Sequence, residues 1–275
     1  MRPPGITLTL RARVLASFLC VALVAPISAE AARVFGPDNS NQVRILDEGA
    51  EVNDVIVRGS RVSGDVWTVD VRDVGSAPLV AGRNCEQTAT GVTCTGPHRY
   101  EIVLELRRGN DQIDATGLAK GMYLIVRAGA GNDRVLGSLG AENYFLRGGA
   151  GDDFFRVGPT APYAEVDGGP GADHIIGGNR SFEFLEGGPG ADRLEGRSGV
   201  ETLREEEGDD LIRGGDGRDR IYPDVGEDEV LAGAGDDQIY PSDGERDIVD
   251  CGGGHDRVEP DAADLLFGCE AVVGL

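Results

Sequence analysis

The chain is 275 residues long and combines 43 Gly and 13 Pro with only 5% aromatic residues and a formal charge of −22. No strict three-residue Gly period runs through it, and its 40% apolar content is too high for a plain disordered chain, so collagen-like and disordered classes are disfavoured. The acidic balance argues against a nucleic acid or an anionic membrane surface as partner, because phosphate binding needs clustered Lys and Arg. Multivalent cations are the expected counter-charge.

The N-terminus has the features of a secretory signal peptide. Basic residues at 2, 11 and 13 precede an apolar stretch of 14 residues, Val14–Ile27, and Ala29-Glu-Ala31 offers a small-x-small cleavage site. A membrane anchor is the alternative, but a span needs ~20 apolar residues. We therefore expect cleavage near Ala31 and a secreted, extracellular protein, with no other segment able to span a membrane.

The negative charge is concentrated in the second part of the chain. Residues 32–105 carry 7 basic and 11 acidic side chains, a net charge of −4, whereas residues 106–275 carry 16 and 36, a net charge of −20. Within the first part, the stretches 42–46, 54–57, 65–71 and 100–106 alternate like half-buried strands. We predict a signal peptide (1–31), a β-rich N-terminal cap (32–105), a repeat region (106–258) and a C-terminal cap (259–275).

Four cysteines remain after cleavage, an even number that is typical of disulfides in an exported chain. Three pairings are possible, and closeness in sequence favours Cys85 with Cys94 and Cys251 with Cys269. A zinc site is disfavoured because the chain lacks CxxC spacing and neighbouring His ligands. Each predicted disulfide would reinforce one end of the repeat region.

A six-residue segment of glycine and aspartate recurs through the second part of the chain. Its ten copies end in aspartates that are separated by 20, 20, 19, 18, 9, 9, 9, 10 and 9 residues, so a nine-residue unit has lost alternate copies in the first half. Those aspartates are Asp133, Asp153, Asp173, Asp192, Asp210, Asp219, Asp228, Asp237, Asp247 and Asp256. An apolar side chain follows each of them after two residues: Val135, Phe155, Ile175, Leu194, Ile212, Ile221, Val230, Ile239, Val249 and Val258.

This unit predicts a turn followed by a short strand. Glycine supplies the positive φ angles and the close backbone approach of the turn, and the next three residues point one apolar side chain inward. Two units form one coil, and stacked coils form an all-β solenoid of two parallel sheets with a thin core. One buried side chain cannot offset the ordering of nine residues, so the fold needs a further source of stability.

Bound calcium is that predicted source. Stacked turns bring one aspartate per coil to the same edge beside glycine carbonyls, and Ca²⁺ prefers carboxylate and carbonyl oxygens. The predicted ligands are the ten aspartates together with the carbonyls of Gly129, Gly131, Gly149, Gly151, Gly169, Gly171, Gly188, Gly190, Gly215, Gly217, Gly233 and Gly235.

Alternation of the units assigns the aspartates to two edges of the coil. The edge that we call the first edge carries Asp133, Asp153, Asp173, Asp192, Asp210, Asp228 and Asp247. The second edge carries Asp219, Asp237 and Asp256. One ion between each pair of neighbouring turns would give up to about eight calcium ions.

The pattern resembles the calcium-binding nonapeptide G-G-x-G-x-D-x-U-x of the RTX, or haemolysin-type, proteins. Gly148–Arg156, Gly168–Ile176, Gly187–Glu195 and Gly214–Tyr222 match it at every fixed position. The resemblance covers residues 128–258 and implies a right-handed parallel β-roll with calcium in its turns. Toxins and proteases of that family typically use an uncleaved C-terminal export signal, so their activities do not carry over to a chain with an N-terminal one.

The sequence contains no recognisable catalytic motif. Its three His lie outside an H-E-x-x-H pattern, and neither a G-x-S-x-G elbow nor an EF-hand loop occurs. We therefore expect a non-enzymatic calcium-binding protein that acts as a structural or adhesion module, with a cell-surface glycan or matrix component as partner. The alternative is a calcium-dependent carbohydrate-active enzyme or its accessory domain, since paired carboxylates can also hydrolyse glycosides.

Overall fold

The computed structural model describes residues 32–36, 42–46, 54–63, 66–73, 79–96, 100–179 and 181–274. These residues form strands and turns without a helix, and none of them therefore belongs to a membrane-spanning helix. The predicted signal peptide lies outside the described residues.

The described strands follow one another in a regular order. They are β1 (Arg33–Phe35), β2 (Gln42–Leu46), β3 (Asp54–Ser63), β4 (Val66–Asp73), β5 (Val80–Ala81), β6 (Cys85–Gln87), β7 (Val92–Gly96), β8 (Glu101–Glu105), β9 (Gln112–Gly117), β10 (Tyr123–Ala130), β11 (Arg134–Leu136), β12 (Asn143–Ala150), β13 (Phe154–Arg156), β14 (Tyr163–Asp167), β15 (His174–Ile176), β16 (Ser181–Glu186), β17 (Arg193–Arg204), β18 (Leu211–Gly217), β19 (Arg220–Tyr222), β20 (Glu229–Ala234), β21 (Gln238–Ile239), β22 (Ile248–Asp250), β23 (Arg257–Val258), β24 (Leu265–Phe267) and β25 (Ala271–Val272).

Parallel pairing sorts these strands into the two faces of a solenoid. The first face stacks β3, β9, β11, β13, β15, the start of β17, β18, β20, β22 and β24. The second face stacks β2, β8, β10, β12, β14, β16, the end of β17, β19, β21, β23 and β25. The predicted all-β parallel β-roll is confirmed.

The core lies between the two faces and is one side chain deep on each side. All ten apolar residues predicted to point inward, from Val135 to Val258, are fully buried. They come from short strands that directly follow each turn, so the residue two places after the aspartate always faces the opposite sheet. The predicted turn-and-strand unit is therefore confirmed.

The two ends of the solenoid differ in construction. At the N-terminal end, β2 and β3 pair in parallel with β8 and β9, while β3, β4 and β7 form an antiparallel sheet that buries Trp67. A disulfide joins Cys85 to Cys94 there, and a second joins Cys251 to Cys269 at the C-terminal end. Both pairings favoured by closeness in sequence are confirmed, as are the four predicted N-terminal strands.

Candidate calcium sites

A ladder of hydrogen bonds between aspartates runs along the first edge. The backbone N–H of each aspartate donates to the Oδ1 atom of the aspartate one coil later, at 2.6–2.9 Å. Asp111 and Asp264 extend the ladder at its two ends. The first edge thus contains the seven aspartates predicted for it and two more.

The second edge carries a shorter ladder of the same kind. The N–H of Asp219 donates to Asp237 Oδ1 at 2.8 Å, and that of Asp237 donates to Asp256 Oδ1 at 2.9 Å. The two edges therefore divide the ten aspartates as the alternation of the units predicted.

The backbone carbonyl of each aspartate is hydrogen-bonded to the first residue of a strand in the next coil. The carbonyl of Asp133, for example, accepts a hydrogen bond from the N–H of Phe154 in the next coil, at 2.8 Å. Backbone and side chain are thus fixed together, because the sheet bonds set the position of the Cα atom and the ladder bond sets the rotamer. The carboxylate is pre-positioned inside the turn rather than pointing into solvent.

The second oxygen of every predicted aspartate is buried without a hydrogen-bond partner. This holds for Oδ2 of Asp133, Asp153, Asp173, Asp192, Asp210, Asp219, Asp228, Asp237, Asp247 and Asp256. Each of these residues is at most 3% exposed. Burial of a carboxylate oxygen without a partner lowers the stability of the folded state, so such an oxygen needs a hydrogen-bond donor or a cation. Because the same atom recurs in every turn, the same kind of partner is expected in every turn.

Burial raises the pKa of these carboxyl groups far above the usual value for aspartate. It raises the pKa of Asp173 and of Asp228 to about 8, with neighbouring aspartates adding to the effect. The pKa values of Asp133 and Asp192 rise to about 7 for the same first reason. The charged form is therefore unfavourable in these turns unless a cation accompanies it.

Three glutamates take the aspartate position on the second edge, and the sequence prediction missed them. The N–H of Glu201 donates to Asp219 Oδ1 at 2.9 Å, and Glu270 Oε2 accepts from the N–H of Asp256 at 3.1 Å. Glu183 is the register partner of Glu201 on the adjacent strand. Glu201 and Glu270 keep a glycine two residues before and an apolar residue two residues after, so a search that accepted Glu for Asp would have found them.

The residues in register with Glu183 form one column of the second edge. In the earlier coils this column is apolar. Register pairing places Leu124, Tyr144 and Ala164 in line with Glu183, and all three are fully buried. These residues offer no carboxylate, so this part of the second edge has no acidic ligand in the position where the first edge has one. The alternate units that the sequence lacks in its first half therefore correspond to turns of the second edge in which buried side chains without a carboxylate take the place of the aspartate.

The predicted glycines shape the turns. Gly149 has a φ angle of 119°, and a Cβ atom there would overlap the carbonyl oxygen of Gly129 in the preceding coil. The first glycine of a unit has another role, since a Cβ on Gly148 would collide with Asp153 Oδ2. Glycine thus leaves the space in which the carboxylate lies. Coordination by the glycine carbonyls stays a prediction.

One turn of the first edge contains an additional buried carboxylate. Asp192, Glu205 and Asp210 bring one oxygen each to within 4.8 Å of one another, and all three residues are buried. Burial raises the pKa of Glu205 well above its ordinary value, and Asp210 and Asp192 add to the shift. The copy that ends in Asp210 departs from the repeat pattern here, because Glu205 stands where the complete units carry their first glycine.

The donor set of these turns fits calcium. The turns present buried carboxylate oxygens, and Ca²⁺ takes six to eight oxygen ligands in flexible geometry. Thiolate ligation is excluded at the four cysteines of the described region, since all of them form disulfides. The aspartates and glutamates of the two edges are thus the residues that would hold the ions.

Comparison with known proteins agrees with this geometry. A family model for the RTX calcium-binding nonapeptide repeat, in four copies, matches residues 125–142, 145–159, 165–179, 178–204 and 206–230. No curated protein matches the sequence. The matched residues include six of the seven aspartates predicted for the first edge, from Asp133 to Asp228. The chain is a calcium-binding repeat protein, and its residues 125–230 carry RTX nonapeptide repeats.

Proposed function

We propose that the protein is an exported, non-enzymatic calcium-binding module whose repeat region becomes ordered when calcium fills the turns. The observation that carries the proposal is the set of ten buried Oδ2 atoms without hydrogen-bond partners. Stacked carboxylates repel one another, and a divalent cation between two turns would replace that repulsion with attraction and supply the missing partner.

The energy available from such binding is large enough to control folding. Extracellular calcium sites have dissociation constants of ~10⁻⁴–10⁻³ M. At ten times the dissociation constant, each independent site stabilises the folded state by ~1.4 kcal/mol. Several sites together would therefore reach the ~5–15 kcal/mol that separates folded from unfolded domains.

Export and a structural or adhesion role form the second part of the proposal. Two disulfides, one near each end of the solenoid, are typical of proteins that mature in an oxidising compartment. Millimolar extracellular calcium would keep weak sites filled only outside the cell, so secretion and folding would be coupled. A rigid calcium-loaded rod would suit binding to a surface glycan or a matrix component.

Far-UV circular dichroism of the mature chain, with calcium and after chelation, tests the central part of this proposal. We expect a β-rich spectrum with calcium that is lost on chelation and restored by calcium but not by the same concentration of magnesium. A spectrum that does not respond to either treatment would contradict the proposal.

A glycan-binding and turnover screen on the calcium-loaded protein tests the non-enzymatic part. We expect no turnover of any glycan in the screen. Turnover that disappears with chelation would instead establish a calcium-dependent carbohydrate-active enzyme.

A further inference from the structure

We infer that Glu205 converts one turn of the first edge into a calcium site with three side-chain carboxylates, which binds calcium more tightly than the aspartate turns that carry glycine at this position. The site comprises Asp192, Glu205 and Asp210. The inference rests on the proposed calcium binding and adds a ligand that lies outside the nonapeptide pattern.

Glu205 occupies the place that glycine takes in the complete units. Gly187 begins the unit one coil earlier, and Glu205 begins its neighbour, with their backbones linked from Gly188 N–H to the Glu205 carbonyl at 3.0 Å. An exposed turn residue would be free to extend into solvent. Glu205 is instead 0% exposed, and neither of its carboxylate oxygens has a hydrogen-bond partner among the described residues.

The side chain of Glu205 reaches back into the preceding coil. A Cβ atom placed on Gly187 would overlap Glu205 Oε2 and would lie 2.6 Å from Asp192 Oδ2. The glutamate carboxylate therefore fills the space that Gly187 leaves by having no side chain. It lies beside the unpartnered oxygen of Asp192, which is the atom expected to face the ion.

The spacing of the three carboxylates suits a single ion. Calcium binds its oxygen ligands at 2.3–2.6 Å, so two oxygens on opposite sides of one ion are about 4.6–5.2 Å apart. The ligand oxygens of Asp192, Glu205 and Asp210 all lie within 4.8 Å of one another. The three carboxylates are therefore close enough together to share one ion.

The additional charge is the reason to expect tighter binding. Calcium affinity rises with the number of charged ligands and with the rigidity of the site. The turns that end in Asp153 and Asp173 begin with Gly148 and Gly168, which contribute no side-chain oxygen. Glu205 adds a third carboxylate at its site, and that carboxylate is already buried and in place.

Calorimetric calcium titration of the mature chain and of Glu205→Gly tests the inference. The substitution restores the glycine of the repeat pattern, so it removes the carboxylate without introducing a foreign residue into the turn. We expect the wild-type protein to bind one equivalent of calcium in a tight class, and the variant to lose that class with at least about tenfold weaker binding at the site. Glu205→Gln, which keeps the side-chain volume, should show the same loss.

Glu206→Gln is the matched control for Glu205→Gln, because it removes the same charge from the next residue of the same turn and leaves a non-glycine residue at its φ angle of 81°. Glu206 is only partly buried, and the control should retain the tight class. Circular dichroism at saturating calcium checks that each variant folds. A tight class that persists in Glu205→Gly, or stronger calcium binding by that variant, would overturn the inference and show Glu205 to be a defect of the repeat. Absence of calcium binding by the wild-type protein would overturn the proposed function as well.

Discussion

The backbone N–H of Asp153 donates a 2.6 Å hydrogen bond to Oδ1 of Asp173, and the other oxygen of Asp173 is buried without a hydrogen-bond partner. One carboxylate therefore performs two tasks, since it ties two coils together and presents a free oxygen inside the turn. The bond to the backbone needs no metal, whereas the free oxygen does. Removal of the aspartate charge should consequently raise the stability of the calcium-free protein and lower the stability of the calcium-loaded protein.

Asp173→Asn tests this opposition directly. Without calcium, the variant should be more stable than the wild type, because burial and the neighbouring Asp153 and Asp192 make the carboxylate unfavourable in the folded state, so that folding must first protonate it, whereas asparagine is already neutral. With saturating calcium it should be less stable, by about 1–2 kcal/mol for the weakening of one site. Thermal unfolding in chelator and in calcium provides both values.

Asp152→Asn is the matched control for that substitution. Asp152 is exposed and lies in the adjacent turn of the same edge. Its replacement should change the unfolding temperature little under either condition, apart from the weakening of the hydrogen bonds that it accepts from the N–H of Ala172 and from Asn132 Nδ2. A drop in the stability of Asp173→Asn that is equal with and without calcium would contradict a role in metal binding.

The pH dependence of stability should change sign when calcium is added. Burial raises the pKa of Asp133 to about 7 and those of Asp173 and Asp228 to about 8, from 3.8. Since the folded state then holds protons more tightly than the unfolded state, stability without calcium is highest below pH ~4 and falls as the pH rises through 6 to 8.

Calcium should reverse that trend because its ligands must be deprotonated. Calcium affinity should therefore rise between pH 5 and 8, and binding near pH 6 should release protons that calorimetry in buffers of different ionisation enthalpy can detect. A stability curve in chelator that rises with pH over this range would contradict the raised pKa values.

The fold was predictable because its signal is periodic, whereas several site residues depend on contacts between coils. Val135 and the apolar residues in register with it define the strands on their own. Glu201 was missed because the pattern required aspartate, and Tyr144 occupies the same column with no acidic signal at all. The inward position of Glu205 depends on Gly187 one coil earlier, and that relation is invisible until the coils are stacked.

Gly149→Ala should destabilise the protein with and without calcium. Its φ angle of 119° is unfavourable for alanine, and the new Cβ would overlap the carbonyl oxygen of Gly129. We expect a loss of more than ~1 kcal/mol in the free energy of unfolding. Gly253→Ala is the control, since a Cβ there meets no atom within 4 Å, and denaturant unfolding of both variants should separate the two cases.

Arg197→Gly should stabilise the protein. Arg197 has a φ angle of 79°, and it stands where the complete units of the repeat carry their second glycine. This conformation destabilises a residue with a Cβ atom by ~1–2 kcal/mol, whereas glycine adopts it without that steric cost. Arg218→Gly removes the same charge at an exposed position without a positive φ angle, so it should not raise the unfolding temperature. Equal effects of the two substitutions would contradict the assignment of strain to Arg197.

Isothermal titration of the calcium-free mature chain with calcium at pH 7 tests the central claim most directly. The stacked carboxylates predict saturable binding of several equivalents per chain, with release of protons and loss of binding when magnesium replaces calcium. Binding of no calcium at millimolar concentration, or of a single ion that leaves the fold unchanged, would contradict the account.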